Sequence, residues 1–125
     1  MREEVVDTSV LLAGLVTSDE SHFRAMALIE DMDKEESLFH VPSLVVLEFI
    51  SILSRLVGTE EAREAKGIID FWVDRGKVKV HHFDLSKMDQ AIEIALNRRL
   101  HVADAIAIQL AEELGLPLVT MTRKS

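Results

Sequence analysis

Apolar residues recur along this chain with two different spacings, and each spacing predicts one type of secondary structure. Short apolar runs bounded by polar residues or proline predict strands, whereas apolar residues spaced three and four apart predict helices. Strands are predicted at Val5–Val6, Leu38–Val41, Val78–Phe83 and Leu116–Thr120. Helices are predicted at Val10–Val16, His22–Lys34, Leu44–Val57, Thr59–Trp72, Met88–Asn97 and Val102–Leu114.

This alternation of strands and helices predicts the fold class. Strands separated by helices favour right-handed crossovers, so we expect an α/β domain with a parallel sheet of about four strands and helices on both faces. A length of 125 residues, without an internal repeat or a linker, predicts one domain over residues 1–125.

The segment Leu44–Val57 is the most apolar of the predicted helices. We expect Ser43 to cap it and Gly58 to end it. Because apolar residues lie on nearly every side, the helix is predicted to be central in the fold. In the neighbouring helices, Ile68, Ile92 and Leu96 are expected to face the core.

Composition narrows the possible functions. The chain has no cysteine, which excludes disulfides, thiolate metal sites and a cysteine nucleophile. A net charge of −8 gives no general attraction to phosphate backbones and argues against a passive nucleic-acid-binding module. The sequence contains no apolar run of membrane-spanning length and does not begin like a secretory signal, so we expect a cytoplasmic protein with no membrane partner.

Asp7 interrupts an apolar run at the predicted carboxyl end of the first strand. That edge of an open α/β sheet is where ligands bind. Asp, Thr and Ser are also good helix N-caps, so the segment Asp7-Thr8-Ser9 fits a cap as well as it fits a catalytic group.

Two further acids stand in apolar or small-residue surroundings. Glu48 lies between Leu47 and Phe49 in the most apolar helix, where an uncompensated carboxylate is costly. It either reaches an exposed strip, pairs with an arginine or belongs to a site, and we favour the site. Asp104 lies in the first turn of the last helix, where the helix dipole also favours an acid.

We expect Asp7, Glu48 and Asp104 to converge at one edge of the sheet. Carboxylates that close together raise one another's pKa unless a cation lies among them. Oxygen ligands suit Mg²⁺ or Mn²⁺, which keep most of their waters.

Four stretches, in this order, resemble the PIN domain family and within it the small VapC-type ribonuclease toxins. They are Val5–Leu12, Pro42–Glu48, Leu100–Ala107 and Pro117–Thr120, and together they span essentially the whole chain. The resemblance implies a PIN-type α/β sheet and an Mg²⁺- or Mn²⁺-dependent site that cleaves RNA. It also implies that Asp7, Glu48 and Asp104 are the acidic site residues, supported by Ser9 and Thr120.

The chain departs from that family pattern in two places. Thr122 stands where the family usually carries a fourth acid, so it supplies a hydroxyl that supports a metal-bound water but no charge. Family members also continue with a helix and an edge strand, so this chain is either a shortened natural form or an incomplete sequence. Both departures bear on activity more than on fold.

Partners follow from the resemblance. VapC-like proteins commonly form homodimers and are inhibited by a small antitoxin that places a basic residue in the acidic cleft. Candidate phosphate-positioning cations are Arg98, Arg99, Arg123 and Lys124, although each is more simply a solvated charge.

The histidines are less informative at this stage. His81 and His82 are neighbours in a predicted strand and point to opposite faces, so they cannot share a metal. His101 is expected to pack at the start of the last helix.

Two alternatives to an active nuclease remain open. One is a catalytically weakened PIN fold that binds RNA or protein, which the Thr122 replacement permits. The other is an aspartate-based phosphatase or phosphotransfer domain. Such phosphatases place a second Asp two residues after the first, where this chain has Ser9.

Overall fold

Four parallel strands form the centre of the protein, and six helices in the described part of the chain connect and cover them. The computed structural model describes residues 1–121. The strands are β1 (Arg2–Val6), β2 (Ser37–Pro42), β3 (Val78–His81) and β4 (Leu118–Val119). The helices are α1 (Thr8–Leu15), α2 (His22–Asp33), α3 (Ser43–Val57), α4 (Thr59–Asp74), α5 (Leu85–Arg98) and α6 (Val102–Leu114).

The strand order is β3-β2-β1-β4, and every neighbouring pair is parallel. The chain therefore builds the sheet outward from β1 in one direction and then returns to β1's other side with β4. This doubly wound arrangement and the helices on both faces confirm the predicted fold class.

The two faces of the sheet carry different cores. Val6, Phe39 and Val78 belong to the larger core, which they share with buried residues of α1 to α4. On the opposite face, Val5 packs against Leu110 and Ala111 of α6. Successive strand residues point to opposite faces, so Val6 belongs to the larger core and Val5 to the smaller core under α6. This burial on both faces explains the β-branched pair in the sequence.

The prediction that α3 is central is wrong. Only Val45, Val46, Phe49 and Leu53 are buried along it, while Leu44, Leu47, Leu56 and Val57 are exposed. The helix packs on β2, α1, α4 and α6, and the side that carries Leu47 and Leu56 is exposed. Composition alone could not distinguish an uncovered apolar side from a buried one.

Several local expectations also need correction. Ile68, Ile92 and Leu96 are exposed, because α4 and α5 each rest on a narrow face whose buried residues are mostly alanine and isoleucine. Pro42 occupies the cap position of α3, and Ser43 is the first helical residue. The Ser43 hydroxyl instead accepts a hydrogen bond from the backbone N–H of Phe83 at 3.3 Å.

The uncovered side of α3 leads to a matched stability prediction. Leu53 is 3% exposed and Leu56 is 64% exposed on the same helix. We expect Leu53→Ala to lower the free energy of unfolding by about 2–5 kcal/mol, because it removes buried methyl groups and leaves a cavity. Leu56→Ala should change it by no more than about 0.5 kcal/mol. Urea unfolding of both variants measures the difference, and equal losses would show that both leucines are buried.

Candidate active site

The sheet topology marks one place where a ligand site is expected. Strand order reverses at β1, which has β2 on one side and β4 on the other. Ligands of doubly wound sheets bind outside the carboxyl ends of the strands at such a switch point. Asp7 directly follows β1 and Thr120 directly follows β4, so both residues lie at that edge.

Asp7 is both a helix cap and an available carboxylate. It is 5% exposed, and its Oδ1 accepts the backbone N–H groups of Ser9 at 3.0 Å and Val10 at 3.4 Å. None of the hydrogen bonds within residues 1–121 reaches its Oδ2, and this atom is not among the fully buried oxygens without a partner. One oxygen therefore anchors α1 while the other remains accessible to a ligand.

The Ser9 hydroxyl connects the ends of β1 and β4. It donates its proton to Asp7 Oδ1 and accepts the backbone N–H of Met121 at 2.8 Å. Ser9 Oγ also lies 3.2 Å from Thr120 Oγ1. Because a hydroxyl has one proton, Thr120 must be the donor in that contact. Ser9 thus fixes the first carboxylate, and Thr120 acts on that carboxylate through Ser9.

Glu48 and Asp104 approach the same edge from opposite faces of the sheet. Glu48 is half-buried on α3 and forms no ion pair with any of residues 1–121, so the arginine alternative does not hold there. Asp104 lies in the first turn of α6 with an exposed side chain. The small neighbours Ala103 and Ala105 leave the space around it open.

Electrostatics shows that the three carboxylates are brought together. Partial desolvation raises the pKa of Asp104, and the negative charges of Asp7 and Glu48 raise it further. His101 opposes this shift. Like charges close enough to perturb one another favour either a proton or a cation among them.

The donor set fits a hydrated divalent ion, but it is not a closed cage. No group of three His, Asp or Glu side chains within residues 1–121 is arranged to hold a metal ion by itself. Mg²⁺ usually takes one or two carboxylates and keeps several waters, so an open set of acids suits it better than a closed one. Asp7 Oδ2 and the charge-perturbed Asp104 are the oxygens best placed to serve as ligands.

Two of the four cations predicted to position phosphate, Arg98 and Arg99, belong to the described residues. Arg98 pairs with Glu112 at 2.9 Å, eight residues beyond Asp104 along α6. Arg99 is exposed in a left-handed conformation that ends α5. Thr122, Arg123 and Lys124 lie outside the described residues.

The histidines differ in their surroundings. His101, expected to pack at the start of α6, is exposed there instead, and its charge acts on Asp104. His81 ends β3 and contacts His40, whose importance the sequence analysis missed. Only the strand register, which brings β2 and β3 together, identifies that pair.

The fold and the clustered acids together define a doubly wound α/β protein with an acidic cleft at its switch point. The family model of the PIN domain matches residues 5–123, so the chain belongs to the PIN domain family. That assignment confirms the resemblance noted in the sequence. A comparison with curated protein sequences found no match.

Several solved structures share this fold. VapC20 of Mycobacterium tuberculosis, a toxin that cleaves the sarcin-ricin loop, has a TM-score of 0.78 at 20% identity over 95% of this chain and 89% of its own. VapBC2 of Rickettsia felis, bound to a promoter DNA fragment, has a TM-score of 0.68 at 14% identity over 96% of this chain and 87% of its own. PAE2754 of Pyrobaculum aerophilum has a TM-score of 0.64 at 24% identity over 98% of this chain and 76% of its own. At these identities the likeness shows a shared fold.

The coupling of the carboxylates can be tested without a metal. Asp7→Asn removes one of the negative charges that raise the pKa of Asp104, so we expect that pKa to move down toward its ordinary value. Carboxyl ¹³C NMR titration of the metal-free protein measures the shift. Asp89→Asn, on the exposed surface of α5, is the control and should leave Asp104 unchanged. An Asp104 titration that is identical in all three proteins would mean that Asp7 and Asp104 are not neighbours.

Proposed function

We propose that this protein is a metal-dependent endoribonuclease and the toxin component of a toxin–antitoxin pair. The observation that carries the proposal is the charge coupling of three carboxylates from β1's end, α3 and α6 at the switch point of a PIN fold. A structural role for these acids would not require three elements to bring like charges together.

In phosphodiester hydrolysis, each of these polar side chains would have its own role. Asp7 and Asp104 would hold a hydrated Mg²⁺ or Mn²⁺, with Glu48 binding it directly or through water. Such an ion polarises the scissile phosphate and supplies or orients a water for in-line attack. Glu48, half-buried and unpaired within the described residues, is suited to take the proton from that water. Ser9 holds Oδ1 of Asp7, which leaves Oδ2 as the oxygen that would serve as a ligand of the ion.

The negative net charge of the protein also supports the idea that a bound cation is needed for the substrate to bind. A chain with net charge −8 repels a phosphate backbone, and Arg98 is already paired with Glu112. A bound divalent ion therefore supplies the positive charge that the cleft lacks. We propose RNA as the substrate class on the family assignment and on the likeness to VapC20.

An antitoxin partner is part of the proposal. Two structural neighbours are VapBC complexes, one from Rickettsia felis and one from Salmonella typhimurium, the latter sharing 16% identity over 96% of this chain and 86% of its own with a TM-score of 0.63. An acidic cleft whose carboxylates repel one another gains from an arginine inserted among them. A small protein carrying such an arginine would bind and inhibit this cleft.

We also propose a homodimer, formed through an apolar surface beside the cleft. This surface, here called the α3–α5 apolar face, consists of exposed residues around a groove of about 250 Å³. They are Leu44, Leu47, Met88, Ile92, Leu96 and Val102. Two copies of a chain with net charge −8 repel each other unless the contact is free of acids, and the lining of this groove has none.

One observation favours a catalytically weakened, binding form as the second candidate. Thr122 stands where the family usually carries a fourth acid, so the chain supplies one negative charge fewer for binding a metal ion. The phosphotransfer alternative gains nothing, because Ser9 stands where the second Asp is needed and its hydroxyl is bonded to Asp7. Activity with a metal distinguishes the nuclease from the binding form.

Cleavage of a mixed RNA pool with Mn²⁺ provides the central test. We expect the wild type to cleave it and Asp7→Asn, Glu48→Gln and Asp104→Asn to lose about a hundredfold or more of the rate, because each removes a charge that would hold the ion. Chelation with EDTA should abolish cleavage. Glu93→Gln, an exposed change on α5, is the control and should retain full activity. Equal rates in wild type and Asp7→Asn would assign the cleavage to a contaminant.

The homodimer is tested by charging the α3–α5 apolar face. We expect Ile92→Lys to weaken self-association about tenfold or more in sedimentation experiments, since it places a charge in the centre of the contact. Ile68→Lys adds the same charge to an exposed isoleucine of α4 outside this face and should not alter it. A wild type that sediments as a monomer would refute this part of the proposal.

A further inference from the structure

A second polar cluster lies away from the acidic cleft, on the face of the sheet that α6 covers. Val5 and His40 are register partners, as are Pro42 and His81, so Glu3, His40 and His81 project from three neighbouring strands on the same side. His40 is 5% exposed, which is unusual for a histidine that no catalytic role explains.

These three side chains form a continuous hydrogen-bonded chain. His40 Nε2 lies 2.8 Å from Glu3 Oε1, and His40 Nδ1 lies 2.8 Å from His81 Nε2. Because an ionised carboxylate only accepts, His40 Nε2 must donate to Glu3. The second contact then needs a single hydrogen between the two imidazoles, carried either by His81 Nε2 or by His40 Nδ1.

The hydrogen-bond pattern sets a limit on how many protons the cluster can hold. With both imidazoles neutral, His81 donates to His40. With one imidazolium, the same contact persists and Glu3 balances the charge. With two imidazoliums, an N–H on each ring points at the other, so the contact between β2 and β3 is lost.

We propose that Glu3, His40 and His81 form a proton-sensitive strand tie, which holds β3 to the sheet while at most one imidazole is charged and releases it when both are. The assignment is independent of the nuclease activity proposed above. It adds a pH response located in the sheet rather than in the acidic cleft.

The charged groups around His81 come from each element packed on it. They are Lys79 on β3, Lys87 on α5, Glu113 on α6 and His40 on β2, with Glu3 of β1 behind His40. Burial lowers the pKa of His81 from its ordinary 6.5, and the positive charges of His40, Lys87 and Lys79 lower it further against the opposing effect of Glu113. A metal ion is a poorer occupant of the tie than a proton, because two lysines lie close and no third ligand is arranged within residues 1–121.

The sign of the pH effect follows from that lowered pKa. The folded protein binds fewer protons at His81 than the unfolded chain does, so stability is fully present above pH 6.5 and falls as the pH drops through the folded value. Each unit of lowering corresponds to about a tenfold change in the folding equilibrium.

Loss of the contact between His81 and His40 would also affect residues outside the strand tie. Within residues 1–121, β3 is an edge strand that pairs with β2 alone. Two residues further on, the backbone of Phe83 bonds to Ser43 at the start of α3, the helix that carries Glu48. Local opening is therefore expected in β3 and at the start of α5, ahead of unfolding of β1 and β2.

The test compares the unfolding free energy of three proteins between about pH 7.5 and about pH 5, where histidine titrates. We expect the wild type and His82→Gln to lose stability steeply over this range. His81→Gln should lose less, because it lacks the imidazole whose pKa the fold lowers. His82 is the matched control, since it is exposed and adjacent in sequence. Equal pH slopes in the wild type and in His81→Gln would overturn the proposal.

Two measurements on the wild type keep the proposal testable if His81→Gln fails to fold. Imidazole ¹⁵N NMR should show His81 titrating below its ordinary value, and hydrogen exchange at about pH 5 should show β3 amides losing protection relative to β1 amides. A His81 that titrates at 6.5, or a β3-to-β1 protection ratio that does not change with pH, would refute the strand tie.

Discussion

Repulsion among like charges is the constraint on which the structure of the cleft depends. Asp7, Glu48 and Asp104 come from the end of a central strand and from helices on opposite faces, and each would be more stable farther from the others. The fold opposes that repulsion with fixed donors: the N-terminus of α1 and the Ser9 hydroxyl hold one oxygen of Asp7. Backbone N–H groups at a helix start stabilise a negative charge there without a neighbouring cation. One oxygen of Asp7 is thereby fixed while the other stays open to a positively charged ligand.

The sequence predicted the architecture well because the sheet is buried on both faces. A strand with that environment favours apolar, β-branched residues, and Val5 and Val6, both fully buried, meet that preference. It failed at the surfaces of α3 and α5, where apolar residues are exposed. Apolar periodicity indicates only that a side chain is removed from water. Burial in an interface with another chain removes it from water just as burial in the core does. The error at Ile92 falls in the proposed dimer contact, whereas the error at Ile68 on α4 lies outside it.

The two polar clusters differ in how far the sequence could reveal them. The acids of the cleft each interrupt an apolar or small-residue stretch, which made Glu48 in particular conspicuous. His40 gives no such signal, because a single histidine in a strand is compatible with either face and with either solvent or core. Its partners Glu3 and His81 are 37 and 41 residues away, and only the parallel register aligns them. Long-range pairing of polar groups is decided by topology, which the local pattern does not encode.

The return of the chain to β1 has a consequence for biosynthesis. The Ser9–Thr120 contact joins residues 111 positions apart, and β4 can pair with β1 only after almost all of the described chain has been made. A polypeptide emerging from the ribosome therefore carries Asp7 long before it carries the strand that closes the cleft. A nascent chain that has not yet reached Thr120 therefore lacks both the hydroxyl that bonds to Ser9 and the strand that flanks β1 on this side.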